Sequence, residues 1–105
     1  MINKIMTEFG LPYRETRFPK PPVGTYAVFF DEVTADGPDG MNLIFTHDIM
    51  VEVYEPKPDP EAEAALEAAI SAAGLHYTKQ SRYWLQDVQR YQVIYEFTYI
   101  EKRRA

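Results

Sequence analysis

The chain has two histidines, His47 and His76, the only side chains in it whose ordinary pKa lies close to neutral pH. An imidazole could act as a general base or, with a second histidine and a carboxylate, hold a divalent metal. The spacing sets up neither role. His47 and Asp48 are neighbours on a stretch that reads as a strand, so they point to opposite faces. No His-x-x-x-His interval links His47 to His76, and a joint site would need their strands side by side with a carboxylate between them. Asp31 and Glu32 are split across a strand in the same way. Glu61, Glu63 and Glu67 fall on a helix, where an amphipathic element displays acids on its wet side as a matter of course. Ser71 and Ser81 lack nucleophile-elbow glycines, and the five glycines form neither a phosphate loop nor a dinucleotide fingerprint. With no cysteine there is no thiolate, disulfide or Cys-based zinc site. These residues imply no catalytic group, metal or cofactor, and no enzyme.

What remains is chemistry of contact. Aromatic residues make up 14% of the chain. Arg82-Tyr83-Trp84 reads either as an exposed anchor of the kind that dominates interfaces or as a cap on the sheet. The basic run Lys102-Arg103-Arg104 reads as a solvated tail or as an arm reaching an acidic neighbour. The formal net charge is −5, but it is unevenly spread. Residues 31–67 hold eleven acids against Lys57 alone, a balance of −10, while residues 1–30 sum to +2 and residues 68–105 to +3. Head-to-tail self-association could use such a polarity; acids solvating loops and a helix face are the plainer explanation. A pI near 4.9 argues against a general nucleic-acid binder.

The elements that must position these groups follow from periodicity. A chain of 105 residues is one domain, residues 1–105. Ile2, Ile5, Met6 and Phe9 have helical spacing, ended by Gly10. Tyr13 to Gly24, with Pro19, Pro21 and Pro22, is an extended connector or an edge segment. Tyr26–Val33 and Asn42–Tyr54 read as a long antiparallel hairpin whose acidic tip is Ala35 to Gly40. Asp59 as N-cap and Pro60 in the first turn start a second helix, and its apolar stripe Ala62, Ala65, Leu66, Ala69, Ile70 and Ala73 stops at Gly74. Leu75–Tyr83 is expected as a third strand, Trp84–Val88 as a turn or bulge, and Gln89–Lys102 as the last strand. That strand has one aromatic face (Tyr91, Val93, Tyr95, Phe97, Tyr99) and one mixed face, more apolar than a solvated face needs. The expected fold is α+β, a mostly antiparallel or mixed four-stranded sheet with two helices in the order α-β-β-α-β-β. No stretch has the roughly 20 apolar residues of a membrane span, nor does the start have a signal-peptide core, so a cytosolic protein is expected.

Taken together, Tyr26-Ala-Val-Phe-Phe-Asp31, the hairpin Asp36-Gly-Pro-Asp-Gly40, Val51-Glu-Val-Tyr54, the helix from Asp59, Arg82-Tyr-Trp-Leu85 and Tyr91-Gln-Val-Ile-Tyr-Glu-Phe97 resemble the tail-terminator, or tail-completion, proteins of long-tailed bacteriophages and prophages. The resemblance spans residues 2–102 and rests on element order and aromatic strand patterns, not on a catalytic signature. It implies a structural virion protein that forms a ring of six on the tail tube, ends tail polymerisation and joins tail to head. It also implies location in the virion tail, and in the host bacterial cytoplasm during assembly. The implied partners are further copies of itself, the tail-tube protein and a neck or head-completion protein, with no membrane and no sequence-specific nucleic acid, although DNA passes through such a ring. The family brings no catalytic residues. The short first helix departs from it. From this sequence alone, a ring would set acids such as Asp36 and Asp39 against Arg82, Arg90 or Arg103 of the next subunit, with Tyr83 and Trp84 as anchors. A neck or head-closure protein, a small ligand-binding domain and a binder of a host factor are the competing readings.

Overall fold

The computed structural model describes residues 1–37 and 42–104. Its elements are α1 (Ile2–Phe9), β1 (Tyr13–Glu15), β2 (Tyr26–Asp36), β3 (Asn42–Glu55), α2 (Pro60–Ala72), β4 (Thr78–Lys79), β5 (Tyr83–Leu85) and β6 (Arg90–Arg104). They build one sheet of six strands in the order β1-β2-β3-β6-β4, with β5 also on β6.

The expected sheet of four strands in the order α-β-β-α-β-β is therefore corrected to a mixed sheet of six in the order α-β-β-β-α-β-β-β. The fifth strand is β1, which runs parallel to β2 from Tyr13↔Ala27 to Glu15↔Phe29. The prolines that argued for a connector all follow it, and Thr16, with φ 72, turns the chain out of the ladder. The sixth comes from division of the expected third strand. β4 pairs with Tyr95 and Glu96, β5 with Arg90 to Gln92, and between them the chain leaves the ladder at Ser81 and Arg82. Trp84 and Leu85 lie in β5, and the turn falls at residues 86–89.

The second helix, α2, forms where local chemistry demands. The Asp59 carboxylate accepts from the Ala62 N–H at 3.2 Å, satisfying one of the amides that a helix start leaves unpaired. Gly74, with φ 78, takes the left-handed turn just beyond the end. Ile2, Ile5, Met6 and Phe9 of α1 and Ala62, Leu66, Ala69 and Ile70 of α2 pack on one sheet face. That face is built from Ala27, Phe29, Ile49, Val51, Val53, Val93, Tyr95, Phe97 and Tyr99, so the alternation of β3 and β6 is as expected.

On the other face, residues 16–25 return over one end of the sheet. Phe18 meets Tyr26 edge-on at 5.2 Å, Tyr26 stacks on Tyr54 at 5.1 Å, and Tyr26 and Val28 are buried. The rest of that face is open: Phe30 and Ile100 are exposed. Strands of the length of β6 span about 50 Å at roughly 3.3 Å per residue. This accounts for a molecule measuring 49 × 27 × 21 Å whose 15.2 Å radius of gyration exceeds the roughly 13 Å of a compact chain this size. The long strands outrun the helices. Burial on the helix face stops at the row of His47 and Tyr99, where Val33 on the outer strand is already exposed, and Ala35 and Arg103 beyond it are exposed. The molecule is a helix-covered body with a three-stranded arm.

Candidate functional site

His47 marks the root of that arm. It faces the helix side and stacks on Tyr99, its neighbour on β6, with ring centres 4.4 Å apart and planes within 8°. Its Nδ1 lies 2.9 Å from both Asp31 oxygens, and its Nε2 lies 3.0 Å from Glu101 Oε1. Arg103 holds Glu101 from the far side at 3.0 and 3.1 Å. Burial disfavours the imidazolium, but the two carboxylate hydrogen bonds outweigh it and raise the His47 pKa above its ordinary value. With one carboxylate on each nitrogen, the ring has no free lone pair to act as a base. Asp31 and Glu101 sit on opposite sides of it and cannot close on one ion. Among the described residues no group of three or more His, Cys, Asp or Glu is arranged to hold a metal. His76 is exposed, in a shallow groove with Asp48, Glu96 and Thr98, and does not join His47.

A second polar cluster ties α2 to the sheet at the other end. Glu55 is fully buried; its Oε1 accepts from the Asp59 N–H at 3.2 Å and from Arg82 Nε at 3.3 Å, while Oε2 has no partner. Arg82 also binds Glu63 at 2.7 Å, and Lys79 bridges Glu63 at 3.0 Å and Glu67 at 2.7 Å. The Tyr95 hydroxyl donates to Glu67 at 2.7 Å. Burial, with the Glu63 carboxylate beside it, pushes Glu55 up to about 7, so it is the partner that keeps the proton. Burial acts the same way on Glu63, but the proton-holding Glu55 carboxyl beside it and the hydrogen bonds from Arg82 and Lys79 prevail and hold it below the usual carboxylate range. This cluster fixes the β4–β5 segment.

The residues singled out for contact fall at the two ends of the long axis. Arg82, Tyr83, Trp84 and Arg90 lie together at one end, on β5, the segment before it and the start of β6. Arg82 is spent on the cluster above. Arg90 donates to the Val23 carbonyl at 2.8 Å, pinning the connector. Tyr83 is 66% exposed, and Trp84 is 39% exposed while it packs edge-on to Tyr91 at 4.9 Å. Asp36 and Arg103 are at the arm tip, where Asp36 accepts from the Gly37 N–H at 2.7 Å and Arg103 lies over the Phe45 ring at 4.6 Å. Asp39 lies outside the described residues. Because β6 runs back along β3, Lys102 and Arg103 stand beside the acidic hairpin, so the charge polarity along the sequence is folded back on itself.

The Asp31-His47-Glu101 group was not read from the sequence, whose spacing sets His47 only against Asp48 and His76. The signal was hairpin register: with Asp36 opposite Ile44, His47 falls opposite Val33, one same-face step from Asp31.

No family model matches this chain, and no curated protein matches it. Its fold is shared with a chain of a solved structure described as the virion of native gene transfer agent (GTA) particle. The match has a TM-score of 0.57 and 16% identity over 90% of this chain and 81% of that chain. At that identity the likeness is one of fold.

Proposed function

We propose that this chain is a structural protein of a phage-like virion, and more specifically that it closes the tail tube as a ring, ends tail polymerisation and joins the tail to the head. The observation that carries this reading is the fold shared with a chain of a gene transfer agent virion along nearly the whole sequence. The tail-terminator resemblance of the strand and helix patterns points the same way without depending on it. The polar clusters agree with an assembly role: both His47 nitrogens are taken by carboxylates, and the buried Glu55 is held by Arg82 and the α2 N-terminus. They lock strands and helix together.

Deletion of the coding sequence from the virus or prophage that carries it tests the reading. The expected result is filled heads without joined tails, and tails that overrun their normal length. Tails of normal length beside heads that leak their DNA would instead favour a neck or head-closure protein. Intact, infectious particles would remove the virion role altogether.

A further inference from the structure

We infer that the two edges of the three-stranded arm pair with each other between copies of this chain, β2 of one copy alongside β6 of the next. The inference rests on the ring reading above and gives that ring its contact. On β2 the parallel strand β1 covers only Ala27 to Phe29, so among the described residues Phe30 to Asp36 has no ladder partner on its outer side. On β6, β4 and β5 reach no further than Glu96, which among the described residues leaves Tyr99 to Arg104 open on the other edge. Unpaired strand edges of this length are templates for another strand, and a monomer ordinarily blunts or covers them.

The occupant follows from direction, register and charge. β2 and β6 are both antiparallel to β3 and so run the same way, which lets a second copy continue the sheet by rotation alone, in parallel pairing. Asp36 lies opposite Ile44, and Ile44 opposite Lys102, so an acid ends one edge and a base ends the other in the same row on the same face. Two β2 edges would set Glu32 and Asp36 against their own kind, and two β6 edges would do the same with Lys102 and Arg103. The unlike pairing sets Asp36 of one copy beside Lys102 of the next. Ile100, 60% exposed, and Val33, 47% exposed, gain cover in that contact. A contact between unlike surfaces closes into a ring when the rotation allows, and a closed ring leaves no free edge.

The chain has no cysteine, so engineered ones report alone. Thr34 and Ile100 share a row, each opposite Thr46. Thr34→Cys with Ile100→Cys in one full-length chain should give, on mild oxidation at high concentration, a ladder of linked species on a non-reducing gel. Each single variant should stop at dimers. Closure staggers strands, so Thr34→Cys is also combined with Thr98→Cys and with Lys102→Cys, and a ladder from any of the three supports the pairing. No ladder from any of them, with circular dichroism unchanged, overturns it. Rings seen by electron microscopy without a ladder would remove the edge contact and leave the ring reading standing. A ladder in open filaments without rings would keep the contact and count against the ring. Asp36→Lys should weaken association about three-fold, as cross-strand charge pairs do, and Lys102→Asp in the same chain should restore it. Failure to restore counts against the register.

Discussion

Glu55→Gln should flatten the dependence of this protein's stability on pH. Glu55 is fully buried, with one oxygen on the Asp59 amide and Arg82 and the other unpartnered, and burial raises its pKa from 4.5 to about 7. A carboxyl whose pKa is higher folded than unfolded stabilises the protein fully below the unfolded value and loses that contribution as pH rises through the folded one. At roughly 1.4 kcal/mol per pH unit, the move from 4.5 to about 7 amounts to about 3 kcal/mol lost between pH 5 and pH 8. Glu63 does not cancel it. Its pKa is lowered, so its contribution is present above 4.5 and lost only as pH falls below that. The amide of Gln copies the shape of the protonated acid and carries no proton to lose. The variant should therefore match the parent within about 1 kcal/mol at pH 5 and exceed it by about 2–3 kcal/mol at pH 8. Urea unfolding at pH 5, 6, 7 and 8, followed by the single tryptophan, Trp84, and by circular dichroism, measures the difference. A loss of the same size at every pH would refute the reasoning, because it would mean that Glu55 is ionised throughout as a partner of Arg82.

His47→Gln should cost about 1–3 kcal/mol at pH 6, where the imidazolium joins Asp31 and Glu101. The raised His47 pKa makes its contribution present below 6.5 and lost as pH rises through the folded value, so the cost should shrink by pH 9 in the same unfolding assay. Leu66→Ala, at a position with no exposed surface between α2 and the sheet, should destabilise by about 2–5 kcal/mol in denaturant titrations. Asp59→Ala removes the helix cap and the 2.7 Å bond from Thr25, and should lower stability by about 1–2 kcal/mol, read as a lower thermal midpoint.

The parts of the fold that were legible in the sequence are those written locally. Asp59, Pro60 and Gly74 announce α2 through chemistry within a few residues, and the alternation of Tyr91 to Tyr99 declares which face of β6 is buried. β1 and the division of the expected third strand into β4 and β5 were not legible, because two or three residues carry no period; these segments are strands only because β2 and β6 offer them an edge. The Asp31-His47-Glu101 group needed the registers of two ladders at once, from three points far apart in the chain. Glu63 read as a wet-side acid and is buried, since Arg82 and Lys79 come down on it from a segment whose path no helix pattern predicts. Arg82 and Arg90, expected to face acids of a neighbouring subunit, also bind within their own chain, through contacts that no sequence spacing announces.

Electron microscopy of the purified full-length chain mixed with tail tubes of the particle that encodes it tests the central claim most directly. Six-fold rings should sit on the tube ends, and the tubes should no longer elongate when further tail-tube protein is added. Bare tube ends that continue to grow, with the protein left in solution, would contradict it.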